Sequence, residues 1–327
     1  MRYGVPEAEF LDCGTLGCQG CAATLSMRLV LKEIGDNAIA VVPACCWSII
    51  DGPWPVHSLK IPVFHTAFET AAVVAAGIKA AKVRLGKDTT VIAWAGDGGT
   101  FDIGLQALSG AAERNEDIIY VCYDNEAYMN TGIQRSSATP EGTWTTTTPD
   151  DHPEPRPKKD IMGIMAAHRI PYAATATTAY PDDLARKVQA AVAAKGGMRF
   201  LHILSACPPG WKMPADQAIE AMRRAVDSGV FPLFEVRDGR DYTITHWPDD
   251  QVPLEDYLSL QGRFAPLMAN PELLEAVKRG IDERWQWLLE QHEREDRVVD
   301  APLGGGAGRN DGAPVSTVSR QLTSTTR

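Results

Sequence analysis

One stretch of the chain, residues 91–130, constrains its fold more than any other. An apolar run at 91–95 predicts a buried strand, and the glycine-rich sequence AGDGGT at 95–100 follows it directly. Residues 103–114 have a helical pattern, and a second apolar run at 118–123 predicts the next parallel strand. A strand, a glycine-rich turn and a helix N-terminus form a site for a phosphate group, because free N–H groups and the helix dipole face the anion.

Two polar side chains follow these neighbouring strands. Asp97 comes at the end of the first strand, and Asn125 comes at the end of the second. Carboxylate and amide oxygens suit Mg²⁺, which prefers few protein ligands together with phosphate oxygens. A Gly-Asp-Gly sequence by itself usually marks a turn, but its recurrence with an asparagine at the adjacent strand end favours a functional reading. The sequence therefore predicts a diphosphate held through Mg²⁺ between two strand ends.

The cysteines give a second, independent signal. Cys18 and Cys21 form a C-x-x-C pair in a glycine-rich loop, Cys46 follows a strand-like run, and Cys207 ends another. Four thiolates from separate loops could bind a [4Fe–4S] cluster or a structural Zn²⁺ ion, and the spacing leaves both open. Of the remaining thiols, Cys45 is an alternative to Cys46 as a ligand. Cys13 is interpreted as a spare thiol near the loop, and Cys122 as a core residue.

Composition excludes several classes of function. The net charge of −10 and the lack of a basic patch argue against nucleic-acid binding. No apolar run approaches the length of a membrane span, and the first residues do not resemble a signal peptide. Cysteines at metal-type spacing then predict reduced thiols and a cytoplasmic location.

Strand and helix patterns alternate along the chain, which predicts an α/β fold with a mostly parallel sheet and helices on both faces. Beyond the central stretch, strands are predicted at 38–44 and 199–205, and helices at 24–34, 69–85 and 182–195. The C-terminal part predicts a helical and hairpin extension, with helices at 216–229 and 273–293 and strands at 231–236 and 242–245. These patterns suggest three parts: a cofactor domain at 1–210, an extension for subunit contact at 211–300, and a disordered tail at 301–327.

Three segments resemble one known family. The sequence GDGGTFDIG at 96–104, the segment 123–136, and WTTTTP at 144–149 are similar to the β subunit of pyruvate:ferredoxin oxidoreductase and related 2-oxoacid oxidoreductases. The resemblance covers roughly residues 10–240. It implies a thiamine diphosphate-binding fold and the oxidative decarboxylation of a 2-oxoacid to acyl-CoA and CO₂. Pyruvate is the first candidate for the 2-oxoacid. Electrons would pass through one [4Fe–4S] cluster to ferredoxin.

The resemblance also implies roles for individual residues. The diphosphate would lie against Gly96, Gly98 and Gly99. The Mg²⁺ ligands would be Asp97, Asn125 and the carbonyl oxygen of Ala127. Asn130 would face the thiazolium ring and the substrate, with Thr131 as a weaker catalytic candidate. The cluster ligands would be Cys18, Cys21, Cys46 and Cys207.

The family resemblance implies that this chain works with partners. The glutamate that activates thiamine comes from another chain in the family, and Glu69 is the local alternative. Subunits of α, γ and δ type would supply that glutamate, much of the substrate pocket and further clusters. The acceptor would be ferredoxin or an NAD-linked subunit.

Other functions stay open at this point. The same family includes enzymes for branched-chain and aryl 2-oxoacids and for oxalate. A non-redox thiamine-dependent decarboxylase would need the diphosphate site without the four cysteines. A zinc-stapled scaffold would retain the cysteines without catalysis.

Overall fold

The computed structural model describes residues 6–53, 55–249 and 252–299, with side chains described up to residue 293. The strands are β1 Ala38–Pro43, β2 Val63–Thr66, β3 Thr90–Gly96, β4 Ile119–Asp124, β5 Tyr172–Thr177, β6 Arg199–Leu204, β7 Leu233–Arg237 and β8 Asp241–His246. The α-helices are α1 Ala22–Ile34, α2 Trp47–Ile50, α3 Ala71–Arg84, α4 Leu105–Glu113, α5 Ile161–Ala167, α6 Pro181–Ala193, α7 Pro208–Trp211, α8 Ala218–Asp227, α9 Leu254–Ser259, α10 Ala265–Met268 and α11 Pro271–Val299.

The strands form one sheet in the order β2-β1-β3-β4-β6-β5-β7-β8. The six strands from β2 to β5 are parallel, and β7 and β8 continue the sheet as an antiparallel hairpin beside β5. The predicted mostly parallel α/β fold is thus confirmed. The C-terminal hairpin shares the sheet with the N-terminal strands, and the predicted domain boundary at 210 stays a prediction.

Helices cover both faces of the sheet. Along β3, Val91 and Ala93 pack into a core with α3, α4, α5 and α11. Ile92 and Trp94 point to the other face and pack with α1 and α6. Because both faces are covered, the central strands are almost continuously apolar, as parallel strands usually are. A third core joins α8, α9 and α10 to Trp211.

The parallel arrangement brings four chain segments to one edge. Strands β1, β3, β4 and β6 all run in the same direction, so the residues after their carboxyl ends meet there. These residues are Cys45 and Cys46 after β1, Asp97 after β3, Asn125 after β4 and Cys207 after β6. Every site residue predicted from the sequence lies at this edge or in the adjoining loops.

The structure adds two strands to the predicted elements. Strand β2 is short and half-exposed, and β5 has the sequence YAATAT, so neither has a run of large apolar residues that would predict a strand. A π-helical turn at Gly98–Asp102 precedes α4, where the sequence predicts one helix from 103. The hydrogen bond from the Ile103 N–H to the Gly98 carbonyl closes this turn at 3.3 Å. The predicted tail at 301–327 lies outside the described residues.

None of the helices in the described ranges is both long and apolar enough to cross a membrane.

A buried lysine gives the fold a testable pH dependence. Lys187 is fully buried, and its ammonium donates to the Thr175 carbonyl at 2.8 Å and to Asp183 at 2.5 Å. Burial lowers the pKa of Lys187 from 10.5 to about 8. The unfolded chain therefore binds more protons between these values, and the free energy of unfolding rises with pH across that window, by roughly 3 kcal/mol in full.

We expect Lys187→Met to remove this rise. Thermal unfolding of both proteins at pH 7.5, 8.5 and 9.5 measures it, because other titrating groups contribute equally to the two curves. Parallel pH profiles for the two proteins would contradict the prediction.

Candidate active site

The glycine-rich turn is shaped by close contacts that exclude side chains. A Cβ atom on Gly98 would lie 2.4 Å from the ring of Tyr128, and one on Gly99 would lie 3.2 Å from the ring of Phe68. A Cβ atom on Gly104 would lie 2.0 Å from the Gly99 carbonyl oxygen, so α4 begins against the turn itself. The π-helical geometry widens the backbone here, and such turns occur frequently at functional sites.

Three oxygen-bearing groups converge beside this turn. One end of the Asn125 side-chain amide lies 2.9 Å from Asp97 Oδ1 and 3.0 Å from the Ala127 carbonyl oxygen. With nitrogen at that end, the amide donates to both oxygens; with oxygen there, three oxygens face one another. Octahedral ligands at the usual Mg²⁺ distance are also about 2.9 Å apart. The two separations from the Asn125 amide therefore match the spacing of neighbouring octahedral ligands.

The two acidic side chains at this edge differ in how their charge is balanced. Asp124 lies 2.6 Å from His202 and 2.5 Å from Lys158. Burial opposes its ionisation, but the Lys158 charge and the hydrogen bond with His202 lower the pKa of Asp124 to about 2. Asp97 accepts a hydrogen bond from Ser136 at 2.5 Å, yet burial and the nearby Asp124 raise its pKa well above the usual value. A divalent cation at Asp97 would reverse that shift.

The turn opens into a cavity of about 130 Å³. Its lining brings together most of the predicted residues, namely Gly96, Asp97, Gly98, Gly99, Asn125, Ala127, Asn130, Thr131, Cys45 and Cys46. Asn130 and Thr131 are exposed at its mouth, and Thr131 Oγ1 donates to Gln134 at 2.5 Å. Glu69 is exposed just before α3 and does not line this cavity.

The four cysteines predicted as cluster ligands are neighbours. The Ala22 N–H donates to the Ala206 carbonyl at 3.2 Å, which joins the loop of Cys21 to the loop of Cys207. Burial raises the pKa of Cys207 to about 11, and the thiols of Cys21 and Cys18 add to the shift. Burial also raises the pKa of Cys46, with Cys45, Cys207 and Cys21 as the next contributors. The thiols are thus close enough to oppose one another's ionisation, which metal binding would relieve.

A single ion and an iron–sulfur cluster need different arrangements of thiols. Within the described ranges, no three His, Cys, Asp or Glu side chains converge on a point that a single ion would occupy. A tetrahedral Zn²⁺ site needs four ligands about 2.3 Å from one point, whereas the irons of a cluster each take one thiolate.

The alternative ligand Cys45 has a different environment from Cys46. Its thiol is hydrogen-bonded to the Tyr123 hydroxyl, and burial raises its pKa. Cys46 instead interacts with Cys207 and Cys21. This difference supports Cys46 as the ligand. Cys13 is exposed, and Cys122 is buried in β4.

Several residues of the site were not predicted from the sequence. Glu126 accepts from Arg263 at 2.6 Å and from Lys158 at 2.8 Å, and the Trp211 indole N–H donates to the Asn125 carbonyl at 2.9 Å. Glu126 lies inside the segment 123–136 that resembles the family, so its position carried a signal. Arg263 is far along the chain in a segment without a motif, and only the fold reveals it.

Comparison with known proteins identifies the family. The thiamine pyrophosphate enzyme, C-terminal TPP-binding domain family matches residues 53–203. The chain is 46% identical over 309 residues to ketoisovalerate oxidoreductase subunit VorB of Pyrococcus furiosus, spanning 91% of this chain and 96% of that subunit. It is 48% identical over 267 residues to pyruvate synthase subunit PorB of Methanothermobacter thermautotrophicus, spanning 80% of this chain and 92% of that subunit.

The chain belongs to the family of β subunits of 2-oxoacid:ferredoxin oxidoreductases. The resemblance seen in the sequence is thereby confirmed, as is the prediction that this subunit belongs to an enzyme complex. A solved 2-oxoglutarate:ferredoxin oxidoreductase from Magnetococcus marinus, with 2-oxoglutarate, coenzyme A and succinyl-CoA bound, superposes with a TM-score of 0.55. That match covers 68% of this chain and 82% of the other, and at 23% identity it shows the fold.

The close contact at Gly98 gives a prediction for cofactor binding by this β subunit. We expect Gly98→Ala to displace the Tyr128 ring, because overpacking a closed contact typically costs about 1–3 kcal/mol. The turn would move with it, and the affinity for thiamine diphosphate should fall at least about tenfold, as isothermal titration of the complex would measure.

A matched glycine provides the control. Gly77 lies on the exposed side of α3, and a Cβ atom added there would have no other atom within 4 Å, so Gly77→Ala should leave the affinity unchanged. Equal affinities for the two variants would contradict the role of the Tyr128 contact.

Proposed function

We propose that this β subunit binds thiamine diphosphate through Mg²⁺ and holds one [4Fe–4S] cluster, for the oxidative decarboxylation of a 2-oxoacid to an acyl-CoA. The observation that carries the proposal is the convergence of Asp97, Asn125 and Ala127 beside a glycine turn, in a cavity that Cys46 also lines. A cation–diphosphate site and a cluster ligand are thus parts of one cavity wall. This arrangement suits an enzyme in which a cofactor passes electrons to a cluster.

The diphosphate site has the chemistry that the proposal needs. Gly98 and Gly99 line the cavity, and the following helix α4 directs its N-terminus toward the turn. Asp97 and Asn125 would hold the cation, with the Ala127 carbonyl as the third protein ligand. Two or three oxygen ligands from the protein leave the rest of the octahedron to phosphate and water.

The protein's own part in the reaction is binding, orientation and exclusion of water. When bound, thiamine diphosphate supplies a carbon that adds to the keto group of the 2-oxoacid and accepts electrons as CO₂ leaves. Asn130 and Thr131, at the cavity mouth, would contact the reacting end and orient the substrate. Phe68 and Tyr128, whose rings meet edge to face at 5.8 Å, close the cavity on one side.

The thiols of four cysteines suit the [4Fe–4S] cluster of the proposal. Cys18, Cys21, Cys46 and Cys207 would be the cluster ligands, because Cys21, Cys46 and Cys207 are partly buried, and the neighbouring thiols help to raise the pKa of Cys46 and of Cys207. A non-redox decarboxylase would not require this set of thiols. A cytoplasmic location and ferredoxin as the acceptor follow as parts of the same proposal.

Two 2-oxoacids are the leading substrates. Pyruvate is the first, since pyruvate synthase subunits are up to 48% identical to this chain. The branched-chain acid 2-oxoisovalerate is the second, because the match to the ketoisovalerate oxidoreductase subunit extends over 91% of the chain. Partner subunits would complete the substrate pocket and supply the activating glutamate, so the subunit should be inactive by itself.

The whole complex, purified without oxygen, provides the test. Iron, sulfide, zinc, magnesium and thiamine diphosphate would be quantified, and reduction of a viologen dye followed with coenzyme A and a panel of 2-oxoacids. We expect iron and thiamine diphosphate to be present and one 2-oxoacid to reduce the dye. Zinc in place of iron, or CO₂ release without dye reduction, would refute the redox function and favour a scaffold or a decarboxylase.

Adjacent cysteines allow a sharper test of the cluster ligands. We expect Cys46→Ser to lose most of the cluster iron and at least about 100-fold in dye reduction, while Cys45→Ser keeps both, because the Cys45 thiol is engaged by Tyr123. Iron analysis and the electron paramagnetic resonance spectrum of the reduced complex measure the difference. Loss of the cluster in Cys45→Ser with retention in Cys46→Ser would reverse the assignment.

A further inference from the structure

The segment that would bind the cation is held in a strained conformation. Glu126, between the ligand residues Asn125 and Ala127, has φ +69, which non-glycine residues rarely adopt. This backbone turn directs the Asn125 side chain and the Ala127 carbonyl toward the same point. Strain of this kind persists only when surrounding contacts fix it.

Buried charges fix the side chain of Glu126. Its carboxylate accepts from Arg263 at 2.6 Å and from Lys158 at 2.8 Å, and its backbone N–H donates to Asp124 at 3.0 Å. Arg263 is itself only 1% exposed, so this ion pair is shielded from solvent. Breaking such a pair leaves a buried charge without compensation, which makes the arrangement rigid.

The same arginine contacts the loop of a predicted cluster ligand. The Arg263 guanidinium stacks on the Trp211 ring at 3.9 Å, and the Trp211 indole N–H donates to the Asn125 carbonyl at 2.9 Å. Trp211 belongs to the short helix α7, in which its own N–H donates to the Cys207 carbonyl at 2.8 Å. Two prolines, Pro208 and Pro209, lie between them and restrict the turn.

A second contact joins the two loops. Gly210 packs so closely against Met129 that an added Cβ atom would lie 2.2 Å from the Met129 sulfur. Met129 directly precedes Asn130 at the cavity mouth. The Cys207 loop and the segment 125–130 therefore contact each other directly through an indole hydrogen bond and a closed packing contact. Arg263 joins them indirectly, because it stacks on Trp211 and pairs with Glu126.

We propose that Trp211 and Arg263 are positioning residues that couple the segment 125–127 to the Cys207 loop, so that binding of the cation–diphosphate group and retention of the cluster stabilise each other. The inference rests on the proposed function and adds to it a thermodynamic link between the two sites. Such coupling is reciprocal. If the bound cation–diphosphate group raises the affinity for the cluster by some factor, the cluster raises the affinity for the cation–diphosphate group by the same factor. A rigid contact network with buried polar groups is a physical route for it.

Release of iron to a ferrous chelator tests the link without measuring turnover. In the wild-type complex, addition of thiamine diphosphate and Mg²⁺ should slow iron release about fivefold or more. Trp211→Phe keeps an aromatic ring for Arg263 but removes the hydrogen bond to Asn125. In that variant the protection should fall to less than about twofold, and the Kd for thiamine diphosphate should rise about fivefold, as expected for one buried hydrogen bond.

Trp94→Phe and Lys187→Met control for loss of volume and of charge, and Arg263→Lys is a second test of the network. Trp94 is fully buried, and its indole N–H has no hydrogen-bond partner among the described residues, so Trp94→Phe removes the same atoms without touching the network. Arg263→Lys keeps the charge but loses the planar stack on Trp211 and should behave like Trp211→Phe. Lys187→Met removes another buried cation and should keep the wild-type protection.

The outcomes separate the coupling from the proposed function. Absence of iron or of thiamine diphosphate in the wild-type complex would overturn the proposed function and the coupling with it. Both groups present with iron release unaffected by thiamine diphosphate would overturn the coupling alone. The role of Trp211 would be overturned if thiamine diphosphate slowed iron release equally in the wild type and in Trp211→Phe. It would also be overturned if Trp94→Phe lost as much of this protection as Trp211→Phe.

Discussion

The rest of the site depends on one electrostatic imbalance at the carboxyl edge of the sheet. Two acidic residues, Asp97 and Asp124, follow or end adjacent strands and are both buried. The Lys158 ammonium and a hydrogen bond with His202 balance Asp124, whereas Asp97 has a hydroxyl and backbone amides as its partners and its pKa is raised. A buried carboxylate in this state is costly to ionise, and a cation bound beside it removes that cost. The glycines, Asn125 and the turn at Glu126 are arranged around the place where such a cation would lie.

Parallel topology is what makes this arrangement possible. Strands that run in one direction end at one edge, so a short loop after each strand can contribute one group to a common cavity. Asp97, Asn125 and Cys46 come to that cavity from three different strands. The helices on both faces then exclude water from the strand ends, which strengthens every charge interaction there. The glycine turn and Cys46 are neighbours because of the strand order, without any long insertion to bring them together.

Much of the fold and of the candidate site could be predicted from the sequence. There are physical reasons why the remaining features could not. The strands β3 and β4 are apolar on both faces and end in glycine, aspartate and asparagine, so local pattern suffices to predict them and the residues that follow. Strand β5 consists of alanine, threonine and tyrosine, and it is a strand because β6 and β7 flank it. The resemblance of the motifs to a known family supplied the roles of Asn130 and of the cysteines, which spacing left open between zinc and a cluster. Arg263 was not predicted, since its importance comes from a contact with Glu126 that no local pattern encodes.

The distances along the chain between these contacts have a consequence for biosynthesis. Arg263 and Glu126 are 137 positions apart, and Trp211 and Asn125 are 86 apart. Contacts of such sequence separation form late, after shorter-range structure has been assembled. On the ribosome, the segment 125–127 therefore emerges well before Arg263, which holds it. Likewise, Cys18, Cys21 and Cys46 emerge well before Cys207. Under the proposed function, cofactor insertion would therefore need a nearly complete chain, and a truncated product that ends before residue 263 would lack the arginine that holds Glu126.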